Sequence, residues 1–416
     1  MSESIGVTPW MKRPATKAVM TALTAKGGAD CARFVGGAVR NTLMKREVED
    51  IDIATTLTPE EVIAALEAAG IRSVPTGVEH GTVTAVSEHK PYEITTLRRD
   101  VETDGRRAVV AFTGDWKEDA ERRDFRLNAL YADEEGTILD PTGGGVEDAR
   151  AGRIVFVGDP EQRIREDYLR ILRFFRFYAW YGKGEPDADA LRACAALKDG
   201  MKTLAAERVQ KELLKLLAAD DPRAAARLMA ATGVLGQVLP AAGSLARFEA
   251  LVAIETEQLF ETDAELRLAA LLPDDVQTAH QAAEALRLSN AARDRLVGAL
   301  GGEHRIVSFL SPKEARQRVY QLGQQPFADR VKLAWAGSMK TSSSPQWRAL
   351  LSLAQTWTAP PFPLSGEEIM AAGVPKGPLV GEVRREVEAW WIDNDFLDDK
   401  LSIVERLKAV AQGLAR

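Results

Sequence analysis

Apolar and polar positions follow two different rhythms along this chain, and the change falls near residue 150. Before it, short β-rich runs are separated by Gly, Pro and charged turns: RFVGGAVR, DIDIATT, GTVTAV, YEITTLR, RAVVAFT, GTILDPT and RIVFVG. One helix between them is almost written out. Thr58 is a good N-cap, Pro59 sits at the first helical position, Glu61 completes a capping box, and Gly70 stops the segment after the stripe Val62, Ile63, Leu66. Strands and helices mixed at this density predict an α/β or α+β domain. From about residue 160 the strand signals stop. Ala, Leu, Arg and Glu recur at helical spacing, as in RVQKELLKLLA and DAELRLAALL. Gly184-Glu185-Pro186, Asp220-Asp221-Pro222, Pro273, Pro312 and Pro360-Pro361 interrupt them. No fixed period repeats, so the second part reads as an irregular helical array.

Composition narrows the classes. The 416 residues, 45% hydrophobic and 28% charged, suit a globular chain of two or three domains and exclude a disordered or fibrous one. No apolar run approaches the ~18–20 residues of a membrane span, and MSESIGVTPWMKRP lacks the apolar core of a secretory signal. Cys31 and Cys194 are too few for a disulfide framework, and four His leave little room for a His-built metal centre. The expected compartment is therefore the reducing cytosol. A net charge of −7 is the wrong sign for indiscriminate nucleic-acid coating. Local charge decides what a polyanion feels, however. From Arg305 to Arg348 eight Lys or Arg face two acids, Glu314 and Asp329. Arg305, Lys313, Arg316, Arg318, Arg330 and Lys332 are accordingly candidate phosphate-gripping residues. Trp335, Trp347, Trp357, Trp390 and Trp391 read as helix-packing residues rather than base-stacking ones.

Candidate chemistry gathers in FVGGAVRNTLMKREVEDIDIAT. Gly36-Gly37 follow a strand-like run and open a helix-like one, where backbone can approach a phosphate without a Cβ in the way. Arg40, one turn later, is in reach of the same phosphates. Asp50 and Asp52 alternate with Ile51 and Ile53, so strand geometry sends both carboxylates to one face, about 7 Å apart. They repel unless a cation lies between them. Oxygen-only ligands suit Mg²⁺, which shares its shell with substrate phosphates. Glu93 in YEITTLR has the same alternation and offers a third carboxylate. Two further clusters follow: Arg123, Asp124 and Asn128 in ERRDFRLNAL, and QRIREDYLRILRFFRF. In the second, Arg173 and Arg176 punctuate an apolar helix. Asp167 and Arg170, three apart, become neighbours on one face, either as a salt bridge or as polar tips that read a base edge.

These motifs, in this order, resemble the class II tRNA nucleotidyltransferases, the CCA-adding enzymes. GG-A-V-R, D-I-D, HGTVTAV, EITTLR, VETDGRRAVVAFT, ERRDFRLNAL and REDYLRILRFFRF carry the likeness from residue 33 to about 180. It continues more loosely through ALRLSNAARDRL and FPLSGEEIMAAGVPKGPLVGEVRREVEAWW. The resemblance implies an α+β fold: a catalytic head at 1–150 with a small mixed sheet flanked by helices, then an all-α neck at 151–235, body at 236–330 and tail at 331–416. It implies that Gly36, Gly37 and Arg40 hold the triphosphate, and that Asp50 and Asp52 bind Mg²⁺ with Glu93 as additional carboxylate. Arg123, Asp124 and Asn128 would contact ribose and phosphates, Asp167 and Arg170 would read the base, and Arg173 and Arg176 would face phosphate. The stretch from about Arg98 to Ala111 matches the family's flexible element for adding the last A. The implied partners are CTP, ATP and the tRNA 3′ end with its acceptor and TΨC arms, with no membrane and no evident protein partner. A poly(A) polymerase shares the head motifs and is the nearest rival; a non-catalytic tRNA-binding module is the rival of another class.

Overall fold

The computed structural model describes residues 3–104, 107–302, 305–338, 344–397 and 399–414, with backbone alone for most of 100–110. It separates into two units, Met1–Pro240 and Ala241–Arg416.

In the first unit the short apolar runs become β1 (Ala32–Val35), β2 (Asp52–Thr55), β3 (Arg72–Gly77), β4 (Thr82–Ser87), β5 (Lys90–Thr96), β6 (Arg98–Asp104), β7 (Arg107–Phe112), β8 (Tyr131–Ala132) and β9 (Ile138–Leu139). Seven of them form one mixed sheet in the order β3-β4-β5-β2-β1-β8-β9, and β6-β7 stand apart as a hairpin. The one parallel pairing, β2 with β5, puts Asp52 opposite Glu93, while β1 sets Val35 opposite Asp52. The capping box of Thr58 and Glu61 forms as its sequence requires. Its helix, Pro59–Ala68, packs with Pro14–Gly27 against β4, and Val19, Leu23, Val62 and Leu66 of the two helices are buried. The α+β architecture is thus present, with the sheet confined to the early chain.

Three sequence readings need correction. Strand β2 begins at Asp52, so Asp50 lies in irregular chain before it. The alternation nevertheless persists, with Ile51 and Ile53 buried and Asp50 exposed. RIVFVG forms no strand beyond a single bridge from Phe156 to Phe125. Its apolar residues Ile154, Phe156 and Val157 are buried by side-chain packing instead. QRIREDYLRILRFFRF is not one helix: Pro160–Glu166 ends, Asp167 adopts extended backbone, and Leu169–Tyr181 begins. Phe125 then packs against Phe156, Phe174 and Phe177, with ring centroids 4.9, 6.4 and 5.0 Å away, seating the second helix against the ERRDFRLNAL segment.

Among the described residues of the second unit every regular element is a helix. Trp335, Trp347 and Trp391 are buried, and Trp357 and Trp390 pack against the cluster of Val383, Val387, Trp391 and Leu407, so all five act in packing.

Candidate active site

Asp52 is flanked on both sides. Val35, its partner on β1, leads directly into the Gly36 turn, and Glu93 lies in register on β5. Asp50 and Glu93 are exposed and Asp52 half-buried, while Ile51, Ile53, Tyr92 and Ile94 point to the core. Burial, then repulsion from Glu93 and Asp50, pushes the Asp52 carboxyl up to about 6, with Arg123 and Arg40 pulling the other way. Among the described residues no three His, Cys, Asp or Glu side chains are gathered to hold a metal by themselves. Mutually repelling carboxylates that cannot close a shell fit a hard divalent ion completed by water and ligand oxygens.

Gly36 opens the helix Gly37–Leu43 with φ +64°, a conformation that favours glycine, and donates its N–H to Leu130 O at 3.1 Å. A Cβ there would lie 3.9 Å from the Arg123 guanidinium, so the turn and Arg123 are neighbours. Arg40 is buried one turn on. It donates to Asn128 Oδ1 at 2.5 Å, Asn41 Oδ1 at 2.9 and 3.1 Å, and the Tyr181 hydroxyl at 2.8 Å.

The ERRDFRLNAL residues form the adjoining wall. Arg123 donates to Asp119 at 2.9 Å and to the Tyr131 hydroxyl at 3.2 Å. Asp119, 1% exposed, also receives Arg122 Nε at 2.8 Å, Tyr131 OH at 2.7 Å and the backbone N–H of Arg98 at 3.3 Å. Burial alone would raise its carboxyl, but Arg123, Arg122 and the Tyr131 hydrogen bond hold it at about 2. Asp124 behaves likewise: burial opposes its charge, and Arg173 (Nε at 2.8 Å), Asn128 Nδ2 (3.1 Å) and Phe125 N outweigh burial, leaving it at about 2. Arg176 pairs with Glu212 at 2.5 Å and lies 4.5 Å from the Phe177 ring. Arg173 and Arg176 thus rest on carboxylates of the fold.

Asp167 and Arg170 are not partners. Asp167 Oδ2 receives Arg208 at 2.7 Å and its Oδ1 the backbone N–H of Leu169 at 3.0 Å. Arg170 donates to Glu166 at 2.6 Å, Arg163 O at 2.7 Å and Arg122 O at 3.2 Å. The helix break explains this: Asp167 ends the first helix in extended backbone and precedes the second, instead of lying on its face. Each tip is therefore oriented by a different neighbour.

Of the flexible element, β6 and β7 are described and Gly105 and Arg106 lie outside the described residues. Sequence reading passed over Asp119, Tyr131, Glu166, Tyr181, Arg208 and Glu212. Asp119 was within reach of the i,i+4 rule from Arg123. Glu212 lies 36 residues from Arg176 and Arg208 41 from Asp167, so no local signal marks them.

The basic stretch of the second unit is not one uniform surface. Arg305 and Lys313 are exposed. Arg316 is tied to Asp395 at 2.9 Å, Arg318 to Gln321 at 2.9 Å and Arg330 to Gly298 O at 2.7 Å, and Lys332 lies 5.0 Å from the Phe260 ring. Asp329 is itself taken by Arg295 at 2.9 Å.

Two family models match the chain: "Poly A polymerase head domain" over residues 32–155, and "Probable RNA and SrmB- binding site of polymerase A" over 185–244. The first takes in β1 through β9 and the Asp119–Asn128 wall, and the second lies in the helical chain that follows. Over 390 residues it is 34% identical to CCA tRNA nucleotidyltransferase 1, mitochondrial, of Homo sapiens, covering 90% of this chain and 86% of that one. It is 30% identical over 355 residues to the CCA-adding enzyme of Latilactobacillus sakei, covering 84% and 87%. The solved CCA-adding enzyme of Bacillus stearothermophilus in complex with CTP superposes with a TM-score of 0.76 at 26% identity, over 97% of this chain and 99% of that one. The chain belongs to the class II CCA-adding tRNA nucleotidyltransferase family. Among the described residues, no helix is long and apolar enough to cross a membrane.

Proposed function

We propose that this protein adds or repairs the 3′-terminal CCA of tRNA from CTP and ATP without a nucleic-acid template, releasing pyrophosphate. The observation that carries the reading is the register Val35–Asp52–Glu93, which sets the carboxylates beside the Gly36 turn with Arg123 and Arg40 close by. Asp50 and Asp52 would hold Mg²⁺, with Glu93 as the neighbouring carboxylate; the ion when bound would neutralise charge on the transferring phosphoryl group and activate the RNA 3′-hydroxyl. Gly36 and Gly37 let the triphosphate approach the backbone, and Arg40 and Arg123 meet its oxygens. Asp124 and Asn128 fix that wall and face the ribose, and Arg173 and Arg176 complete it.

Base choice then has a donor–acceptor solution. Cytosine and adenine both offer an amino group beside a ring-nitrogen acceptor. The carboxylate of Asp167, held by Arg208, accepts from the amino group, and Arg170, held by Glu166, donates to the ring nitrogen. Uracil and guanine present a carbonyl where Asp167 needs a donor, leaving a desolvated carboxylate against a lone pair. In the second unit, Arg305 and Lys313 are the exposed cations of a surface for the acceptor and TΨC arms, supported by Arg316, Arg318, Arg330 and Lys332. Such contacts answer to phosphate and shape, because every tRNA must be accepted. The boundaries near 150, 235 and 330 divide head, neck, body and tail in this reading. The free, buried Cys31 and Cys194 suit a reducing cytosol.

The poly(A)-tailing alternative shares the head model, but the relatives matched along the whole chain are named for CCA. Incubation with CTP, ATP, Mg²⁺ and a tRNA lacking its terminus, followed by sequencing of product ends, tests the reading. Defined C, C and A additions that EDTA abolishes are expected. An open-ended A tail, or full activity in EDTA, would refute it.

A further inference from the structure

Arg40 differs from the other arginines of this site in its surroundings. Arg123, Arg170, Arg173 and Arg176 each rest on a carboxylate: Asp119 at 2.9 Å, Glu166 at 2.6 Å, Asp124 at 2.8 Å and Glu212 at 2.5 Å. Arg40, 7% exposed, pairs with no carboxylate among the described residues. Its acceptors are the amide oxygens of Asn41 and Asn128 and the hydroxyl of Tyr181. The guanidinium also lies over the Tyr181 ring at 4.0 Å and near the Phe177 ring at 5.4 Å. Asn128 passes its amide to Asp124 at 3.1 Å, so the nearest acid on that side is kept one amide away. Burying a guanidinium is costly unless its donors are filled. Here they are filled by neutral groups, which satisfy geometry without cancelling charge. That charge faces the glycine turn, since a Cβ on Gly37 would lie 3.8 Å from Arg40 Nη2.

We propose that Tyr181 is a positioning residue for nucleotide binding: it completes a neutral cradle that aims Arg40 at the glycine turn and leaves its charge, with no carboxylate directly paired to it, for the phosphates of the incoming nucleoside triphosphate. The inference rests on the reading of Arg40 as a triphosphate contact. Tyr181 closes the helix Leu169–Tyr181, whose first turn carries Arg170. One rigid rod, about 20 Å long at 1.5 Å per residue, thus bears a base-reading group at one end and the anchor of a phosphate grip at the other. Its two ends serve the two halves of one nucleotide.

Steady-state incorporation on a tRNA lacking its CCA, with inorganic pyrophosphate as the competing phosphate probe, tests this in Tyr181→Phe, Tyr181→Leu and Tyr181→Glu. Tyr181→Phe keeps the ring and loses the acceptor; the KM for CTP and the Ki for pyrophosphate should rise about threefold. Tyr181→Leu loses both, for about tenfold. Tyr181→Glu brings a carboxylate to the guanidinium and should do the most harm, on the order of thirtyfold. The KM for tRNA should stay within about twofold in all three, since phosphate recognition alone is touched. A residue that merely packs would leave Tyr181→Phe silent and shift both substrates together in Tyr181→Leu, with a lower thermal midpoint; that pattern overturns the proposal. Arg40→Ala separates the two claims. An unchanged Ki for pyrophosphate there would sink the underlying assignment. A raised Ki there, with the three Tyr181 variants at wild-type values, would sink only the cradle.

Discussion

Replacing Asp119 by Asn keeps the shape of the side chain and removes its charge. Arg122 and Arg123, whose side chains are only 16% and 19% exposed, then face a neutral amide, and the Tyr131 hydroxyl loses an ionised acceptor. Two routes give the size of the effect. Holding the carboxyl at about 2 rather than 3.8 is equivalent to about 2 kcal/mol, at about 1.4 kcal/mol per tenfold change. Breaking a buried ion pair from one side costs about 3–5 kcal/mol, and the partial exposure of both arginines puts this case at the low end. We therefore expect a loss of about 2–3 kcal/mol, read as a fall of roughly 1 M in the urea midpoint of the first unit followed by circular dichroism. Because Arg123 stands beside Gly36 and Asp119 also receives Arg98 N–H at the base of the β6-β7 hairpin, CTP incorporation should fall in parallel, by on the order of tenfold in kcat/KM. An unmoved urea midpoint with wild-type incorporation would refute the assignment of Asp119 as the hub of this wall.

Asp119 and Asp124 both sit below their unfolded values, so their contribution is complete above about pH 5 and is lost as pH falls from about 4 toward 2. Urea midpoints should drop steeply in that window and less so in Asp119→Asn; a flat profile contradicts the ion pairing. Asp167→Ala should relax selection of CTP and ATP over UTP and GTP more than it slows pyrophosphate release. Full selectivity in a misincorporation assay would remove Asp167 from base reading. Asp52→Asn should abolish incorporation of every nucleotide, and substantial residual activity would take β2 out of the metal site. Raising salt should weaken tRNA binding while sparing CTP, and Arg305→Ala or Lys313→Ala should each lower the salt slope by about 1. Equal loss for both ligands counts against the patch.

The early sheet was legible because its strands carry their own punctuation. GTVTAV and YEITTLR alternate cleanly and become β4 and β5, and the Thr58 capping box is a local device that needs no tertiary help. RIVFVG misleads for a physical reason: an apolar run reports burial, and here Phe125 and Phe174 bury it without a ladder. The break at Asp167 is invisible to apolar periodicity, which continues from Ile164 to Leu169 and Ile171 across it. The carboxylates that hold Arg173 and Arg176 lie 49 and 36 residues away, so their pairing is a property of the folded chain alone.

That last arrangement ties distant parts of the chain together. Asp124 and Arg173 form one bond from two distant codons, as do Glu212 and Arg176. A single replacement in either couple leaves a partly or fully buried charge without its mate. Because Arg173 also approaches Glu212, the two couples share one charge network, and a change at any of the four positions is felt by the other three as well as by the wall they support.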